Sequence, residues 1–134
     1  MQATGTFVVK VTPAEPSEIA KEAGLGRMTI DKVFSGAITG TSKGEMLTGM
    51  TPETKGMAYV AIEKVTATLN GHVGTFLLSH RASMRSAAPA NTALDITVVP
   101  DSGTGSLTGI AGTFLIDTSA GDHKYTFDYT LPTP

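Results

Sequence analysis

Residues 57–84 read MAYVAIEKVTATLNGHVGTFLLSHRASM. Two β-rich runs flank Asn70-Gly71, the pair best suited to the positive backbone dihedrals of a two-residue type I′ turn. The stretch is expected to form a hairpin in which Leu69 pairs with His72. Counting outward, Val65 meets Phe76, Glu63 meets Leu78, Ala61 meets His80 and Tyr59 meets Ala82. Side chains alternate between the two faces of a strand, so Tyr59, Ala61, Glu63, Val65 and Leu69 share one largely apolar face. Phe76, Leu78 and His80 continue it on the partner strand, whereas Lys64, Thr66, Thr68, Thr75, Ser79 and Arg81 point the other way.

That parity places Glu63 and His80 on the inward face and on a cross-strand diagonal, where backbone positions lie roughly 7–8 Å apart and side chains narrow the gap. A buried carboxylate without a partner is costly, so Glu63 should be hydrogen-bonded, protonated or near internal water. The pair is the candidate catalytic site, with Glu63 as acid or base and His80 beside it. The competing reading has the two residues satisfying one another or the backbone, with no substrate. Burial favours the neutral form of Glu63 and a charged His80 the ionised form, so the direction of its pKa stays open here. For an enzyme, Glu63→Gln is expected to keep the fold and much of the ligand affinity while reducing turnover.

The rest of the chain extends the sheet. Phe7 to Val11 is an opening strand ended by Pro13 and Pro16. Ser17 caps a short helix closing at Gly24, after which Met28, Ile30, Lys32 and Phe34 alternate with Thr29, Asp31 and Val33 as a strand. Residues 37–50 read as a hairpin turning near Ser42-Lys43-Gly44. Thr92 to Val99 is a strand stopped by Pro100. Residues 104–117 form another, with glycines at 105, 109 and 112 for bulging or close packing. His123 to Leu131 alternates again, placing Tyr125 and Tyr129 on an inward stripe with His123, Phe127 and Leu131. About seven or eight strands in one short chain are protected most economically by closure, which removes exposed edges. The expectation is all-β: a small closed antiparallel barrel, calycin-like in appearance, with a sandwich as runner-up. At 134 residues the chain holds one core, so residues 1–134 are read as a single domain.

Composition narrows the functions. There is no cysteine, which excludes disulfides, thiolate nucleophiles and cysteine-ligated metals. The net charge is −2 and the pI about 5.8, so nothing draws the whole chain to a polyanion, and no nucleic-acid partner is expected. Residues 17–36 (SEIAKEAGLGRMTIDKVFSG) do look like the helix-turn-helix of the lactose-repressor family, but a strand precedes them and AITGTSKG follows. Asp101-Ser102-Gly103 has the form used by aspartic peptidases, yet that chemistry needs a second carboxylate, and the tripeptide is ordinary turn composition. His72 and His80 share a strand face at roughly 26 Å, too far apart for one ion. No metal and no cofactor are expected. No stretch has the length of a membrane helix and the N-terminus has no secretory pattern, so a cytoplasmic protein without a membrane partner is expected.

Four segments, KVFSGAITGTSKG, MAYVAIEKVTATLNGHVGTFLLSH, VVPDSGTGSLTGIAGTF and HKYTFDYTL, resemble in the same order a bacterial family known as domain of unknown function 3224. The likeness spans roughly residues 27–131, and VVPDSGTGSLTGIAG is its most specific piece. It implies an allene-oxide-cyclase-like barrel, a fold whose interior receives a small apolar molecule. In the cyclases, a barrel glutamate and ordered water assist rearrangement of an unsaturated epoxide, and Glu63 is the position to set against that role. Relatives more often carry a carboxylate and an arginine where this chain has Ala37 and His72, which puts in doubt any contact those residues make in relatives. The leading expectation is a protein binding a small apolar or amphipathic molecule among Tyr59, Phe76, Leu78, Tyr125 and Tyr129. The alternatives are an isomerase or cyclase using Glu63, and a non-catalytic homo-oligomeric structural protein. A homodimer is expected, with a homotrimer second.

Overall fold

Asn70 and Gly71 adopt φ angles of 46° and 86°, the left-handed pair a type I′ turn requires. The hairpin they close has the register read from the sequence: Leu69 opposite His72, Val65 opposite Phe76, Glu63 opposite Leu78, Ala61 opposite His80 and Tyr59 opposite Ala82. The structure is a computed structural model that describes residues 1–54, 56–85, 88–117 and 123–132. Its strands are β1 (Gln2–Ala14), β2 (Gly26–Gly36), β3 (Ile38–Met50), β4 (Met57–Leu69), β5 (His72–Arg85), β6 (Ala88–Val98), β7 (Ala111–Asp117) and β8 (His123–Thr130). Each pairs antiparallel with the next, and β8 returns to β1, so the sheet closes as an eight-stranded barrel.

Two local expectations fail. Residues 37–50 form no hairpin: Ile38–Met50 is one long strand bonded to β2 on one side and β4 on the other. The turn falls instead at Gly36, whose φ of 102° provides the reversal. Glycine and serine mid-strand read as turn chemistry, but here the small residues face the interior. Residues 104–117 are also not one strand. A short 3-10 turn, Gly105–Leu107, precedes β7, with Gly105 and Gly109 at positive φ. The segment inserts Leu107, between these glycines, and Ile110, just after the second, both buried in the core.

The remaining motifs resolve as the sequence suggested. Ser17 caps helix α1 (Glu18–Ala23) by accepting a hydrogen bond from the Ala20 amide, and Gly24 ends it in the left-handed conformation. Where a repressor would carry its recognition helix, the chain runs as strand β2. Ser102 of the Asp-Ser-Gly tripeptide accepts a bond from the Leu77 amide through its hydroxyl, so the tripeptide is a turn pinned to β5. No helix among the described residues is long and apolar enough to cross a membrane.

The core is aromatic. Phe7, Phe34, Phe76, Phe114, Tyr125, Phe127 and Tyr129 form a chain of ring contacts with centroids 5.1–6.2 Å apart, packed with Ile38, Val65, Leu69 and Leu78. Such rings bury large areas and gain from tilted or offset contact.

Candidate functional site

At the edge of this core, four inward positions on adjacent strands are polar: Lys32 on β2, Ser42 on β3, Glu63 on β4 and His80 on β5. All are buried, and Glu63 is completely so. Glu63 Oε1 accepts hydrogen bonds from Lys32 Nζ at 2.9 Å and from His80 Nε2 at 2.6 Å, while Oε2 accepts from Ser42 Oγ at 2.6 Å. Lys32 also lies over the Phe7 ring, with Nζ 4.9 Å from its centroid, an additional attraction for a desolvated cation. Gly44 stands directly opposite Glu63, and a Cβ there would come within 2.6 Å of the Glu63 Cβ. Its missing side chain leaves Glu63 room in the sheet.

Electrostatics settles the state of the carboxyl. Burial pushes its pKa up, but the hydrogen bond from His80, the charge of Lys32, the charge of His80 and the Ser42 hydroxyl together outweigh it and hold the pKa at about 2. Glu63 is therefore ionised at neutral pH, so His80 Nε2 carries the proton in their bond. A carboxylate in this state accepts protons poorly and donates none. It fixes the imidazole's tautomer and leaves Nδ1 as the ring atom not engaged with it. Among the described residues, no buried side-chain nitrogen or oxygen lacks a partner, and no group of three or more potential metal-ligating residues occurs.

The expected site residues divide between two places. Glu63 and His80 meet directly. Tyr59 lies beyond Ala61 on the same inward face, half-buried, and its hydroxyl pKa is raised by burial and by the Glu63 charge. Phe76 and Leu78 sit in the core, Phe76 stacked on Phe127. Tyr125 and Tyr129 direct their hydroxyls at turns: Tyr125 donates to the Ser35 carbonyl and accepts from the Ile38 amide, and Tyr129 accepts from Asn70 Nδ2. Lys32 and Ser42 were not among the candidates. Lys32 was on the inward stripe of its strand, so its parity was the available signal. Ser42 was hidden by the mistaken turn.

The polar layer separates two kinds of interior. On β4 the inward sequence runs Leu69, Ala67, Val65, Glu63, then Ala61, Tyr59 and Met57. On β5 it runs Phe76, Leu78, His80, then Ala82 and Met84; on β2, Phe34, Lys32, then Ile30 and Met28; on β3, Ser42, then Gly44, Met46 and Thr48. Ile30, Ala61 and Ala82 are buried but lie outside the core cluster, and Met28, Met46, Met57, Tyr59 and Met84 are only half-buried. On these four strands, the inward side chains towards the α1 end are, Ile30 and Tyr59 apart, small or flexible, where the core at the opposite end is aromatic and close-packed.

A concavity of about 760 Å³ lies on the outer surface of β2–β6. Exposed Leu47, Val60 and Ile62 form its apolar centre. On one side Arg27 pairs with Glu45, and on the other Arg81 pairs with Asp95 at 3.2 Å.

A family model described as protein of unknown function (DUF3224) matches residues 3–129. The crystal structure of a protein with unknown function from the DUF3224 family of Shewanella oneidensis MR-1, at 1.84 Å resolution, is 40% identical to this chain. The match covers 100% of this chain and 98% of that one, with a TM-score of 0.87. No curated protein matches.

Proposed function

The chain belongs to the DUF3224 family, and we propose that its barrel binds a small, partly apolar molecule at the α1 end, above the Glu63 layer. The observation that carries this reading is the change of interior along β2 to β5. A barrel needing only stability would continue its aromatic packing, because close-packed interiors maximise contact. Here Gly44, Ala61 and Ala82 follow the polar layer, with adaptable methionines around them, a composition suited to an apolar guest with a few fixed polar groups beneath it. The alternative is an isomerase or cyclase with Glu63 as acid or base. The ionised, three-fold bonded state of Glu63 favours an anchoring role instead and leaves proton movement to His80. Protein isolated gently and extracted into organic solvent is expected to release a stoichiometric amphipathic compound, detected by mass spectrometry. A high-resolution structure of the same preparation is expected to place it against Tyr59 and His80. An empty extract, together with no uptake of the neutral dye Nile red, counts against the proposal.

The outer groove supports a homodimer. In the dimer we propose, a two-fold axis along β4 would bring Leu47, Val60 and Ile62 of both copies together, and would set the Arg27–Glu45 edge of one against the Arg81–Asp95 edge of the other. Each edge carries one cation and one anion, so the pairs exchange partners without accumulating charge, as a self-complementary interface demands. Sedimentation at micromolar concentration is expected to show twice the mass of the 13.8 kDa chain, with Val60→Asp giving the monomer. A wild-type monomer throughout rejects the dimer.

A further inference from the structure

Resting on the binding reading above, we infer that the polar end of the bound molecule is a hydrogen-bond acceptor, a carbonyl or carboxylate oxygen carried on an apolar chain, and that Lys32 selects it. Lys32 is the member of the buried layer with donors to spare. Lys32 presents three N–H donors, Ser42 one O–H and His80 one N–H from Nε2. Against them stands one carboxylate, whose oxygens already receive Lys32, His80 and Ser42. Lys32 Nζ meets a single acceptor among the described residues, Glu63 Oε1, and beyond it the Phe7 ring face. Lys32 therefore keeps two N–H donors beyond its bond to Glu63, and it belongs to the layer that borders the α1 end of the interior.

A ligand ammonium brought to this layer would meet the buried Lys32 cation and find the Glu63 oxygens occupied. Like charges at this separation in a poorly hydrated interior repel strongly. An accepting oxygen meets the opposite situation, since it takes a free Lys32 proton without disturbing the bond to Glu63, and hydrogen bonds to charged donors are the stronger ones. Among the described residues, the charged and titratable groups facing this space are Lys32 from β2, Glu63 and Tyr59 from β4 and His80 from β5. The inward neighbours from β3, Met46 and Thr48, are uncharged.

The test is competition against Nile red bound to the wild-type protein, using decanoic acid, methyl decanoate and decylamine, which share a chain but differ in the polar end. The acid or the ester is expected to displace the dye at least about tenfold more effectively than the amine. Lys32→Met is expected to remove that preference, so that the acid and the ester displace whatever dye the variant binds no better than the amine does. Displacement by the amine as effective as by both oxygen compounds overturns the inference and leaves the binding reading standing. Failure of the dye and all three compounds to bind overturns both. Because the decisive comparison uses the wild-type chain, it stands even where the variant folds poorly.

Discussion

Glu63→Gln is expected to cost the folded protein about 3–5 kcal/mol, and adding Lys32→Met is expected to restore most of it. The amide keeps the shape of Glu63 and still accepts from Ser42 or His80, so packing changes little. What changes is charge, because Lys32 remains a buried cation whose hydrogen-bonded anion is gone. Removing one partner of a buried pair leaves the other uncompensated, whereas removing both trades desolvation for apolar packing, here of a methionine against Phe7 and Phe34. Lys32→Met alone is expected to cost less than Glu63→Gln, since Glu63 keeps its hydrogen bonds from His80 and Ser42. Urea unfolding of the wild type, both single variants and the double variant gives the coupling directly. A double variant as destabilised as the sum of the singles would show that Lys32 and Glu63 are not coupled.

Sequence reading alone leads to a different expectation for Glu63→Gln, that the fold is kept, because Lys32 does not enter it. The difference shows which parts of the site were legible. Within one hairpin, Asn70-Gly71 sets the turn, the turn sets the register, and register with parity puts Glu63 beside His80. Each step is local and uses a period of two. Closure of the barrel followed from the number of strands. The partner Lys32 lies 31 positions from Glu63 in the chain and reaches it only once β3 is placed between β2 and β4. Reading 37–50 as a hairpin removed that strand, and with it Ser42 and the route to Lys32. The cause is physical, since glycines opposite Ala67 and Glu63 serve close approach across the interior and cannot be distinguished by composition from glycines that turn a chain. The plug formed by Leu107 and Ile110 was obscured in the same way.

Acid is expected to unfold the wild type in a range where the Lys32→Met/Glu63→Gln variant holds its stability better. The Glu63 carboxyl has its pKa lowered in the folded barrel from 4.5 to about 2. Because the folded value is depressed, the unfolded chain binds the proton first. The stabilising contribution is thus complete above the unfolded pKa and is lost as the pH falls from about 4.5 through about 2. A difference of this size corresponds to about 3 kcal/mol over the window, and protonation also releases Lys32 as an unpaired buried cation. Exposed carboxylates such as Glu45, whose pKa is lowered by its hydrogen bond and charge interaction with Arg27, contribute a background common to both proteins. The informative quantity is therefore the difference in urea-unfolding free energy between wild type and double variant, measured from about pH 6 down to about pH 2. The wild type is expected to lose about 3 kcal/mol more than the double variant across that interval, with the divergence beginning near the ordinary glutamate pKa. Parallel pH profiles would mean that Glu63 titrates alike in the folded and unfolded chains, and the ionised, three-fold bonded carboxylate at the centre of the site would have to be abandoned.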